Sequence, residues 1–195
     1  MTARPASRGV ILRSGALLKL ALGLLLMGAA PAQVVTLERI APRGAQRGTS
    51  VELSLAGKAL SGAESLVFDR SGMSASEVRT DDKGRVRARL TLAADAPLGP
   101  HAIRVRTRRG LSGPLVFHVG PLPVVAEAEP NADTASAQAI QLGCTVDGKV
   151  SGEDEDVFVV PVLAGTKVRA VIEAVLLGGA GFDPMVELLD ASGNV

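Results

Sequence analysis

The stretch Arg85-Val-Arg-Ala-Arg-Leu-Thr-Leu92 decides the fold. In an extended chain successive side chains point to opposite faces, so Val86, Ala88, Leu90 and Leu92 share one side and Arg85, Arg87 and Arg89 the other. Such alternation belongs to an antiparallel strand with one face on a core and one in water. The same period recurs downstream: His101-Ala-Ile-Arg-Val-Arg-Thr107 turns Ile103 and Val105 inward, and Leu115-Val-Phe-His-Val119 does so with Leu115, Phe117 and Val119. Upstream, residues 51–55 and 65–68 read as further strands. Turn signals separate these runs, among them Ser71-Gly72, Asp82-Lys-Gly84 and Ala96-Pro-Leu-Gly-Pro100. Short strands at this spacing, with no helical periodicity between them, predict an all-β fold in which residues 33–120 form a small immunoglobulin-like β-sandwich.

Composition narrows what such a fold can do. The 195 residues include four Phe and no Trp or Tyr, so the core is built from aliphatic side chains. A platform for stacking bases or sugar rings lacks its usual parts, which argues against nucleic acid as a partner. The single Cys144 excludes an intramolecular disulfide and a cysteine metal cluster. The net charge of +1 hides an asymmetry. Residues 33–120 carry 14 basic against 8 acidic side chains, and residues 121–195 carry 3 against 12. The arginines of the 85–89 and 104–109 runs read as the solvated side of a sheet, where they also discourage edge pairing.

Residues 1–32 have the three-part layout of a cleaved secretory signal: Arg4, Arg8 and Arg13, then an apolar run, then Ala30-Pro31-Ala32. The apolar run after Lys19 is short for a bilayer span, so the expectation is export with Gln33 as the mature start and no stable membrane anchor. The order of Arg47-Gly-Thr-Ser-Val-Glu-Leu-Ser-Leu-Ala-Gly57 and Leu98-Gly-Pro-His-Ala-Ile-Arg-Val-Arg-Thr107 resembles immunoglobulin-like modules of the IPT/TIG kind.

Three prolines between Gly120 and Asn131, where basic composition gives way to acidic, read as a short stiff linker. Beyond it, strands are expected at residues 145–150, 157–162, 167–175 and 185–189. The glycine run Leu177-Gly-Gly-Ala-Gly-Phe182 reads as a loop, because no Lys-Ser or Lys-Thr follows to make a phosphate cradle. Glu129-Pro-Asn131, Asp133-Thr134, Val146-Asp-Gly-Lys-Val150, Asp154-Glu-Asp-Val-Phe158 and Phe182-Asp-Pro-Met-Val-Glu-Leu-Leu-Asp190, in this order, resemble the bacterial pre-peptidase C-terminal domain. That resemblance implies a jelly-roll-like β-sandwich over residues 121–195, of the kind attached to secreted peptidases and other extracytoplasmic proteins. The family domain continues past the position of Asn194, so the resemblance implies an incomplete second sandwich. Its missing strands would come from a downstream part of the same polypeptide or from another protein chain.

No catalytic constellation is legible. A nucleophilic serine would need His101 or His118 as its base, neither G-x-S-x-G nor H-E-x-x-H occurs, and Ser112 reads as a turn residue. The first expectation is therefore a non-catalytic secreted or periplasmic accessory or binding module. The alternative is the N-terminal part of a secreted peptidase or other hydrolase whose catalytic domain lies beyond residue 195. One ligand chemistry stands out, that of a hard cation: Asp154 and Asp156 are two apart in a run of four acids, Glu129 and Asn131 offer further oxygens, and Asp183 precedes a proline. Glu129, Asn131, Asp154, Asp156 and Asp183 are thus a candidate calcium set. The competing reading is a solvated acidic loop, since no EF-hand pattern is present.

Overall fold

The computed structural model describes residues 34–149, 155–174 and 184–190; the expected signal segment, Asp154, Asp183 and the glycine run lie outside them. Every regular element among the described residues is a β-strand, so the chain is all-β. In chain order the strands are β1 (Thr36–Ala41), β2 (Gly44–Gln46), β3 (Ser50–Lys58), β4 (Ala63–Phe68), β5 (Met73–Thr80), β6 (Val86–Leu92), β7 (Gly99–Thr107), β8 (Gly110–Leu111) and β9 (Leu115–Gly120). Then follow β10 (Val124–Ala126), β11 (Gln138–Ala139), β12 (Thr145–Asp147) and β13 (Phe158–Val159).

The first nine strands make two sheets, one ordered β1-β3-β6-β5 and the other β2-β9-β7-β4 with β8 on β7. The alternation at β6 is realised in full: Val86, Ala88, Leu90 and Leu92 are buried, as are Leu53 and Leu55 of the neighbouring β3. From the second sheet Leu66, Ile103, Val105, Phe117 and Val119 enter the same core. Burying a Leu, Val or Phe side chain contributes about 1.5–3 kcal/mol each, so this shared cluster carries the stability of the region.

Three strands are bulged, and in each the inward spacing changes from two to three. In β1 the register shifts between Leu37 and Arg39, so the buried positions run Val35, Leu37, Ile40. In β4 it shifts between Ala63 and Ser65, and in β5 between Ser76 and Arg79, where Met73, Ala75 and Val78 pack on the core. Glu77 takes the extra position in β5 with φ of 54° and reaches Arg89 at 3.5 Å. A bulge of this kind bends a strand and spoils its outer edge as a template for another chain; β5 is an edge of its sheet.

The polar face of β6 is neutralised locally. Asp81 pairs with Arg85 at 2.9 Å and Arg87 at 3.3 Å, and Glu52 with Arg89 at 3.0 Å. These arginines therefore offer a polyanion less than their number suggests.

Past Gly120 the elements shorten. The expected linker contains β10, which pairs in parallel with β12, and β11 pairs in parallel with β13. The strand expected at residues 157–162 is reduced to Phe158–Val159. Of the strands expected at residues 167–175 and 185–189, the described residues 167–174 and 185–189 have no strand structure. Alternating apolar residues make a strand only when a neighbouring backbone takes up the hydrogen bonds, and no described strand pairs with these two segments. Val171, Met185 and Leu188 are accordingly exposed.

Candidate metal site

Glu127, Glu129 and Asn131 are two residues apart, which in an extended chain places all three on one side. β10 delivers Glu127 to its position. The Glu127 N–H donates to the Asp147 carbonyl at 3.2 Å, continuing the β10–β12 ladder. One carboxylate oxygen, Oε2, accepts the Lys149 N–H at 2.7 Å, while Oε1 is buried and has no hydrogen-bond partner. Gly148 lies directly beneath, where an added Cβ would stand 3.1 Å from Oε1.

Asn131 is fixed from two sides. Its N–H donates to Glu129 Oε2 at 3.1 Å, and its carbonyl accepts the Val157 N–H at 2.8 Å. The second bond brings the chain carrying Asp156 beside Glu129. Carboxylate oxygens of Glu127, Glu129 and Asp156 consequently lie within 4.8 Å of one another. Two oxygens bound to one calcium ion at about 2.4 Å each are at most about 4.8 Å apart, so one ion can bridge neighbouring members of the cluster. Asn131 itself is fully buried, yet neither its Oδ1 nor its Nδ2 has a hydrogen-bond partner. Leaving a buried amide unsatisfied costs about 1–3 kcal/mol, and a cation that reached Oδ1 would remove the oxygen's share of that cost.

The turn after Asn131 is set by Asp133, whose carboxylate accepts the Ser136 hydroxyl at 2.7 Å and the N–H groups of Ser136 and Ala135. Those bonds, the Ser136 hydroxyl first, hold its carboxyl below the usual range. On the other side of the cluster Asp147 is half-buried, and burial pushes its carboxyl up. The Arg43 N–H and charge oppose that rise, and the Glu127 charge adds to it.

Of the five residues expected to gather, the structure brings Glu129, Asn131 and Asp156 into one neighbourhood; Asp154 and Asp183 lie outside the described residues. Glu127 was missing from the expected set. Its signal was the two-residue spacing of Glu127, Glu129 and Asn131 in the sequence. The donor set is all oxygen, which suits a hard cation such as calcium and not a thiophilic one. The residues present fit a calcium ion.

The other reactive side chains are used structurally. His101 is buried, with Nε2 2.6 Å from the Pro97 carbonyl. His118 reaches Glu173 at 3.0 Å. Ser112 Oγ donates to the Gly113 carbonyl and accepts the Val105 N–H. Cys144 is a free, half-buried thiol, and no helix among the described residues is long and apolar enough to cross a membrane. No protein-family profile and no curated protein matches this chain.

Proposed function

We propose that this chain is a non-catalytic, extracytoplasmic accessory or binding module: an immunoglobulin-like sandwich followed by a calcium-binding region of pre-peptidase C-terminal type. The two sheets sharing one core support the first part, and the sequence likeness of residues 124–195 supports the second. The observation that carries the calcium reading is Asn131, a fully buried amide without hydrogen-bond partners, held between Glu129 and the Asp156–Val157 segment. Three carboxylates this close repel one another in the absence of a cation. A bound divalent ion offsets that repulsion and gives Glu127 Oε1 and Asn131 Oδ1 a partner. The exposed Val171, Met185 and Leu188 favour a further protein surface as the partner of this region.

Calcium that binds only the folded protein raises its stability by mass action, about 2.7 kcal/mol at a hundredfold excess over Kd. Thermal melting in millimolar calcium and in chelator should therefore differ by several degrees. Magnesium, which resists dehydration, should do less. The difference should disappear in Glu129→Gln/Asp156→Asn. Equal melting temperatures in calcium and chelator, with no heat on titrating calcium, would defeat the reading.

A further inference from the structure

A cleft between β2 and β10 carries a ligand chemistry of its own. It encloses about 380 Å³, within the size range of small-molecule sites. Pro42 and Val51 on one side and Val124 on the other make apolar walls, while Gln46, Thr49, Ser50 and Asp147 bring the polar groups.

The donors of the three neutral polar side chains are already engaged. The Thr49 hydroxyl donates to the Gln46 carbonyl at 2.6 Å, Gln46 Nε2 donates to the Pro121 carbonyl at 2.9 Å, and the Ser50 and Thr91 hydroxyls share a bond of 2.9 Å. Asp147 is different. Its half-buried carboxylate receives the Arg43 N–H, divided between the two oxygens at 3.3 and 3.4 Å, and no other donor among the described residues. A carboxylate accepts about four hydrogen bonds, and charge-assisted ones settle at about 2.7–2.9 Å. One long, divided N–H therefore leaves most of that capacity unused, while burial removes part of the water that would otherwise use it. The Arg43 charge compensates in part, and the Glu127 charge opposes that compensation. The spare capacity of the cleft is thus an acceptor with a negative charge, set among apolar walls.

We propose that the cleft binds a primary ammonium group on a short aliphatic chain, its N–H donors on the Asp147 carboxylate and its methylenes between Pro42, Val51 and Val124. A quaternary ammonium is the wrong complement, because it has no N–H to give and no aromatic ring lines the cleft to hold it. The same chemistry comes as a free alkylamine or as the lysine side chain of a partner. Calcium at the acidic cluster plays no part in this binding, so the two sites stand or fall separately.

The test titrates the full, nitrogen-labelled chain with n-butylammonium chloride at fixed ionic strength and follows the amide signals by NMR. Saturable shifts at Gly44, Gln46, Val124 and Asp147 are expected, with a Kd on the order of 1 mM for so small a ligand. n-Butanol, which keeps the chain and lacks the charge, should bind about tenfold more weakly, and Asp147→Asn should weaken butylammonium by a similar factor. Asp147→Glu keeps the charge on a longer arm; it should retain part of the binding and covers the case in which the asparagine variant does not fold. Nα-acetyl-lysine amide is the second probe. Tighter binding than butylammonium assigns the site to a partner's lysine, and weaker binding assigns it to free amines. The proposal is overturned if neither amine gives a saturable shift, if butanol binds as well, or if Asp147→Asn binds like the wild type. Shifts confined to residues 127–131 and 156 overturn it too, since the amine is then only neutralising the acidic cluster.

Discussion

Residues 34–120 and residues 124–190 use similar side chains to different effect. In the first region nine strands of up to nine residues place Leu53, Leu55, Leu90, Ile103 and Phe117 in one core at 0% exposure. In the second, the four strands among the described residues have two or three residues each, and Val162, Leu163, Val171, Met185 and Leu188 stand at 52% exposure or more. Hydrophobic content does not separate the two; paired backbone does. Where a second sheet meets the apolar face, alternation becomes burial. Where it does not, the same alternation leaves apolar side chains in water, and order comes instead from polar ties such as Asn131 to Val157 and Glu127 to Lys149.

The largest way to sharpen this contrast is a matched pair of truncations. Leu53→Ala empties part of a closed core and should cost about 2–5 kcal/mol in denaturant unfolding. Leu188→Ala removes a side chain that is 60% exposed and should stay within about 0.5 kcal/mol. Comparable losses at both positions would mean that Leu188 is covered in solution, and the contrast would fail.

The pair also marks what the sequence alone could tell. Strands β3, β6, β7 and β9 were legible because their inward residues keep a strict period of two, as Val86, Ala88, Leu90 and Leu92 do. β1 and β5 were not, because each carries a bulge that shifts the phase: Leu37 to Ile40 and Ala75 to Val78 are three apart. The strands expected at residues 167–175 and 185–189 failed in the opposite sense over their described residues, since pattern reports a side chain's preference and not whether a neighbouring backbone pairs with it. In the candidate site Glu129, Asn131 and Asp156 were legible from oxygen chemistry. For Glu127 the sequence carried only the two-residue spacing to Glu129 and Asn131, and the β10–β12 pairing is what shows its carboxylate against the Lys149 N–H.

A second test strikes the first region at its tightest backbone approach. Gly57 of β3 lies against the Thr36 carbonyl and the Leu37 Cα, both too near for a Cβ. Here glycine is required by space. Gly57→Ala should cost about 1–3 kcal/mol by forcing β1 away from β3. Gly113→Ala, with nothing within 4 Å of the added carbon, should change stability by less than about 0.5 kcal/mol. Equal effects would show that the β1–β3 pairing yields easily and that the first region is less rigidly specified than its core implies.

The smallest expected effect concerns charge on the well-packed side of the comparison. Asp81 closes the β5–β6 turn: its Oδ1 accepts the N–H groups of Lys83 at 3.0 Å and Arg85 at 2.9 Å, and its Oδ2 pairs with the Arg85 and Arg87 guanidinium groups. The Arg85 N–H is the largest cause, and partial burial opposes it; together these contacts hold the carboxyl at about 2, below its ordinary 3.8. A carboxyl whose pKa is lower in the folded protein stabilises it at pH above the ordinary value, and that stability is lost as pH falls through the folded value. Between pH 3.8 and about 2 the wild type should therefore lose more melting temperature than Asp81→Asn, and the two curves should converge near the lower limit. At neutral pH the variant should melt a few degrees lower. The difference should shrink in high salt, because the guanidinium partners are partly solvent-exposed. A carboxyl-carbon titration of Asp81 by NMR with its midpoint near 4 would remove the pH-dependent part and leave the turn held by its backbone bonds alone.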